Sequence, residues 1–134
     1  MVTKCHFYWI GNTFDKRKNK QQKGYKMDFN QFTIKSQEAV KKAEEIAKTN
    51  GNQSIENVHL LKALIKSDDY LIPNLFNKLG VNVEIFNQAL DKTIASLPKV
   101  HGGDMYLSNE ANKALQSALT EAKSMGDDYV SIDH

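Results

Sequence analysis

Cysteine is nearly missing from this chain: Cys5 stands alone among 134 residues, so no internal disulfide can form and a disulfide-stapled scaffold is excluded. Proline (2) and glycine (7) are too scarce for long coil. No apolar run approaches the roughly 20 residues that a membrane-spanning helix needs. The aromatic stretch "FYWI" near the start is too short for the h-region of a secretory signal, which takes at least about 7 apolar residues, and no small-residue cleavage site follows it. No segment alternates apolar and polar residues over strand length.

Several chemistries lack their residue patterns. There is no GxxxxGK[ST] phosphate-binding loop, so ATP hydrolysis cannot be assigned to this chain. GxSxG and HExxH are absent as well. His6, His59, His101 and His134 do not show the spacing of a zinc site. Glu44 and Glu45 are adjacent on one helix, so their side chains diverge by about 100° and make no acid/base pair. The chain alone reads as non-enzymatic, with no cofactor or metal.

What is present divides in two. Residues 1–26 carry 7 Lys/Arg against 1 acid, whereas residues 27–134 carry 11 against 15. The overall net charge of +2 therefore conceals a basic head on an acidic body. The polar, patternless "DKRKNKQQKGYK" reads as a disordered, solvated extension. Its other reading is an arm that contacts nucleic acid. Met27 opens a segment of different character, so translation of the ordinary protein is expected to start there, with residues 1–26 an upstream extension.

From Phe32 onward the pattern is helical. In "FTIKSQEAVKKAEEIAKTNG", Phe32, Ser36, Ala39, Val40, Ala43, Ile46 and Ala47 recur at spacings of three and four, making one stripe. Thr33 is placed to cap the start and Gly51 to stop the helix in the left-handed conformation. Ala39, Ala43 and Ala47 form a thin face that another helix can approach closely. A short apolar helix, "ENVHLLKALI", follows, with Val58, Leu61, Leu64 and Ile65 on its inward face. Next comes "DYLIPNLFNKLG", with Pro73 in its first turn and Asp68 and Asp69 ahead of it as capping or solvating acids. Asn82 then caps "VEIFNQALDKTIASL", with Val83, Phe86, Leu90, Ile94 and Leu97 inward, and "KVHGGDM" is a loop.

The last stretch repeats the first. Slid back by 75 positions, "YLSNEANKALQSALTEAKSMGDDYVSIDH" sets Leu107 on Phe32, Ser108 on Thr33 and Ala114, Ala118 and Ala122 on Ala39, Ala43 and Ala47. It also sets Gly126 on Gly51 and His134 on His59. Cap, stripe, stop and histidine share one offset, which marks an internal repeat. The first copy spans about 32–98. The second, about 106–134, is incomplete, holding one full helix and the first turn of the next. Its apolar face is expected to be uncovered and its C-terminal end to be mobile or to self-associate. The recurring histidine is expected to be structural, held by a hydrogen bond and packing in the first turn of a helix.

These stretches, with "LFNKLGVNVEIFNQALDK" and "LPKV", resemble the amino-terminal repeat domain of the Clp/Hsp100 chaperone ATPases, most nearly the ClpB disaggregase type. The resemblance spans 27–134. It implies an all-α fold of tandem repeats in pseudo-twofold arrangement, here with the second repeat truncated. It implies capture of unfolded or aggregated polypeptide, or docking of an adaptor or co-chaperone. The full-length protein would be a cytoplasmic homohexamer using ATP and Mg, with no membrane association. The family's polar positions fall on Thr33, Asp127 and Asp133, which it ties to substrate handling. Thr33 is also a helix cap, and both acids suit the start of a helix, where the dipole favours negative charge. Phe32, Leu107 and Tyr106, with Phe29, precede the two caps and are candidate apolar contacts for a client. Phe32 and Leu107 can alternatively be staples packing on their own helices.

Overall fold

The computed structural model describes residues 27–134, and the expectations for residues 1–26 lie outside them. A 3-10 turn, Phe29–Gln31, leads into α1, Ile34–Asn50. Strand β1, Ser54–Ile55, and α2, Asn57–Ser67, follow. Then come α3, Leu71–Lys78, and α4, Val83–Ser96. Strand β2, Tyr106–Leu107, and α5, Asn109–Met125, complete the order. The domain is all-α apart from this small two-stranded sheet.

Helix boundaries follow local chemistry. The Thr33 hydroxyl accepts from Ser36 N–H and the Ser108 hydroxyl from Ala111 N–H, each satisfying one orphan donor of a first turn. Gly51 and Gly126, at φ +78° and +83°, stop α1 and α5. Asn82 caps α4 through Glu84 and Ile85, and Asp68 accepts from Tyr70 and Leu71 ahead of α3.

Two apolar clusters make the core. In the first, Phe29, Phe32 and Val40 meet Leu115, Ala122 and Val130. In the second, Ala43 and Ala47 of α1 face Ile55 and Ala63. All three of these alanines are fully buried, so the small-residue stripe does bring α2 close to α1. Leu60 and Leu107 pack against both clusters and join them. The α3–α4 hairpin is pinned by the Phe76 and Phe86 rings, 5.0 Å apart, and by buried Lys62, which reaches Asn87 at 2.6 Å and Asp91 at 2.7 Å.

Two features differ from the sequence reading. The first is the sheet, whose two-residue strands are too short for alternation to reveal. β1 and β2 pair in parallel, Ser54 opposite Tyr106 and Ile55 opposite Leu107. A separate parallel bridge joins Phe32 to Val130. The second is the inward face of α2. Its buried residues are His59, Lys62 and Ala63, while Val58, Leu61, Leu64 and Ile65 are only half-buried. Close approach to the alanine stripe demands a small residue there, so Ala63 faces α1 and the larger leucines are displaced outward.

Candidate functional site

The helix starts build the site. Thr33 N–H donates to Val130 O at 2.9 Å, and Ser108 N–H donates to Ile55 O at 3.0 Å. Each capping residue is thus fixed by the turn that follows the other long helix. Those turns share a second device. In the first, Nδ1 of His59 accepts from Glu56 N–H at 2.9 Å, the reach-back arm of a capping box. With Nδ1 an acceptor, Nε2 carries the proton and donates to Asn52 Oδ1 at 3.1 Å. Asn52 in turn donates to Pro98 O, tying the turn to the end of α4. In the second turn Nδ1 of His134 accepts from Ser131 N–H at 3.0 Å, and Nε2 donates to Asp127 Oδ2 at 3.1 Å. The histidines therefore organise turns, as expected of His59.

The two turns differ in charge and in cover. His59 is fully buried, and burial pushes its imidazole below the ordinary 6.5, with the nearby Glu56 charge opposing. Its counterpart pairs with an exposed carboxylate, where the first turn has neutral Asn52. The Ser131 hydroxyl donates to Asp133 and holds that carboxyl below its ordinary value, with smaller help from backbone hydrogen bonding and the neighbouring His134.

Between these turns an open, mainly apolar groove of about 310 Å³ runs along α1, α2 and α5. Leu60, Leu61 and Leu64 form one wall, and Ala114, Leu115 and Ala118 another. Phe32, Ser36, Ala39 and Val40 lie at the α1 side. Asn57, Val130, Ser131, Ile132 and His134 complete the lining. Ala114 is exposed and Ala118 half-buried, in contrast to Ala39 and Ala43 in α1.

Of the residues singled out in the sequence, Phe32 is enclosed, tilted against Phe29 with ring centroids 5.5 Å apart, and reaches the groove from beneath. Leu107 is half-buried between the two clusters, and Tyr106 beside it is half-buried in β2. Thr33 is half-buried and joined to Val130, while Asp127 and Asp133 are exposed around His134. The structure thus gathers Thr33, Phe32, Asp127 and Asp133 about the second turn and sets Tyr106 and Leu107 against the first. The groove leucines were missed as a site because their helical spacing reads equally well as core. Ile34, Met125 and Tyr129, near Thr33 and Asp127 in the chain, are exposed. Among the described residues no group of three His, Cys, Asp or Glu side chains could hold a metal ion, and no helix is long and apolar enough to cross a membrane.

This arrangement defines a helical domain of the kind found at the amino terminus of Clp-type ATPases. The N-terminal domain of Hsp104 from Candida albicans superposes with a TM-score of 0.70 at 22% identity, over 77% of this chain and 69% of that one. The N-terminal domain of the ClpV1 ATPase from E. coli gives 0.69 at 17% identity, over 76% and 63%. The family model described as "Clp repeat (R) N-terminal domain" matches residues 31–134, and the chain belongs to that family. The chaperone protein ClpB of Bacteroides thetaiotaomicron is 46% identical over 108 residues, 81% of this chain. ClpB of Porphyromonas gingivalis matches at the same identity and coverage. The chain spans 12% of the length of these two relatives.

Proposed function

We propose that residues 27–134 form a substrate-capture domain of an ATP-dependent protein disaggregase, one that holds unfolded or aggregated polypeptide without altering it. The open apolar groove, with the Asp127 and Asp133 carboxyl groups beside His134 of its lining, carries this reading. Capture of varied clients calls for weak, tolerant apolar contacts and a wet polar rim rather than a tight lock. Kinship with proteins named as ClpB chaperones supports it. The client-facing residues proposed are Thr33, Tyr106, Asp127 and Asp133 at the surface, with Phe32 and Leu107 beneath them. ATP, Mg and hexamer formation belong in this reading to the remainder of a longer protein.

We also propose that 32–98 and 106–134 are tandem repeats related by a pseudo-twofold axis. Two hydrogen bonds support this: with the offset of 75, Thr33 to Val130 and Ser108 to Ile55 are the same bond with its ends exchanged.

Titration with a permanently unfolded client tests the function. Amide signals around Thr33, Tyr106 and Asp127 should broaden or shift. Shifts confined to residues 1–26 would sink the reading. Stronger retention of a folded adaptor than of the unfolded client would assign the surface to adaptor docking instead.

A further inference from the structure

Alone among the asparagines of the chain, Asn50 precedes a glycine, and the pair Asn50–Gly51 sits where α1 ends. In a flexible chain this pair is reactive. The glycine nitrogen gives up its proton and attacks the side-chain carbonyl carbon of the asparagine. A C–N bond closes a cyclic imide, and the side-chain nitrogen leaves as ammonia. Water then opens the imide at either carbonyl, giving aspartate or isoaspartate, in which the main chain runs through the former side chain. Glycine favours the attack because no Cβ obstructs it.

The fold restrains both reacting groups. The Gly51 N–H is bound to Ala47 O and Lys48 O, closing the end of the helix. Asn50 Nδ2 donates to Asn52 Oδ1 and to Ile94 O, both at 2.8 Å, so each of its hydrogens is taken. Asn52 is fixed in turn, accepting from His59 Nε2 and donating to Pro98 O. The Asn50 amide is therefore one member of a network that ties the end of α1 to the first turn and to the end of α4.

We propose that Asn50 is a modification site kept closed by the fold: unfolding opens it to deamidation, and its acidic products no longer complete the end of α1. In the aspartyl product a carboxylate replaces the amide donor and faces Asn52 Oδ1 and Ile94 O, both of them acceptors. It also places negative charge at a helix C-terminus, where the dipole opposes it. Two lysines of the same cleft are already engaged, Lys42 with Lys66 O and Lys62 with Asn87 and Asp91. The isoaspartyl product lengthens the main chain between positions 50 and 51, which draws the Gly51 N–H away from Ala47 O and Lys48 O. Each unfolding event thus exposes the domain to a covalent change that hinders its return. The inference is independent of the capture reading, because the cleft at Asn50 shares no lining residue with the apolar groove.

The test holds the full chain at mildly alkaline pH with and without guanidinium chloride and follows position 50 by peptide mapping with mass spectrometry. In denaturant, Asn50 should convert faster than any other asparagine of the chain. Under native conditions its conversion should be at least about tenfold slower, since only the small opened population reacts. Asn50→Gln, whose longer side chain closes the ring poorly, should resist conversion in denaturant. After dilution into native buffer, the isoaspartyl form should collect in the fraction that fails to regain its helical signal. Asn50→Asp, made directly, should melt at least about 4 °C below the parent or fail to fold. Equal rates of Asn50 conversion in the two conditions overturn protection by the fold. Conversion of the Gln variant at the parent's rate overturns the ring-closure chemistry. An isoaspartyl product spread evenly between refolded and unrefolded fractions, or an Asn50→Asp variant that melts with the parent, overturns the consequence for folding.

Discussion

At the scale of a residue, His59 states the physics most clearly. It occupies the position where a capping box ordinarily has Glu or Gln, and its ring accepts from the backbone on one side and donates to Asn52 on the other. The backbone bond needs the neutral ring, since protonated Nδ1 cannot accept. Burial lowers its folded-state pKa beneath the unfolded 6.5, so the stabilisation is complete above that pH and is lost as the pH falls through the folded value. The thermal midpoint should therefore drop on acidification below about pH 6.5. His59→Gln should flatten that dependence while keeping the box. His59→Ala should cost about 2–4 kcal/mol at neutral pH, by leaving a cavity and depriving the Glu56 N–H of its acceptor. Melting curves for the three proteins between pH 5 and 8 check this, and an unchanged pH slope in the Gln variant would exclude His59 as its source. The sequence disclosed the structural role of this histidine because it recurs at a fixed distance from a glycine stop. It could not disclose the partners, because Asn52 and Pro98 become neighbours only after the chain folds back.

Among elements, the α1–α2 contact depends on side chains that are nearly absent. Ala43, Ala47 and Ala63 are fully buried, and nothing at this interface can move aside for a larger group. Ala43→Leu should destabilise by roughly 1–3 kcal/mol through overpacking. Urea denaturation measures this, and a stability equal to that of the parent would show slack the packing does not suggest. The alanine spacing made this contact legible in advance, as did both caps and both glycine stops, since each is a matter of neighbours within one turn. The leucines of α2 were misplaced for a related reason. Periodicity finds a face but does not say how wide the approach will be, and a partner as thin as α1 takes Ala63 inward and leaves Leu61 and Leu64 on the groove. The strands were invisible because two residues have no period.

In the whole molecule, the two clusters share Leu60 and Leu107, so the domain should melt as a unit rather than in parts. The candidate site was legible as a neighbourhood and not as a cavity. Thr33, Asp127 and Asp133 were named from resemblance and do converge, whereas the walls of the groove come from three helices whose mutual placement no local pattern records. The bonds at the helix starts run crosswise, with Thr33 served by Val130 and Ser108 by Ile55. Neither stretch completes its own beginning. A single backbone nick between Gly102 and Gly103, both exposed, would separate donors from acceptors without disturbing either helix. Residues 103–134 alone would keep one 17-residue helix of marginal standing in water, and should give little helical signal. Mixed with residues 1–102, they should regain it at one-to-one stoichiometry. The crosswise bonding thus makes this domain a natural split pair, whose pieces report on each other's presence by folding.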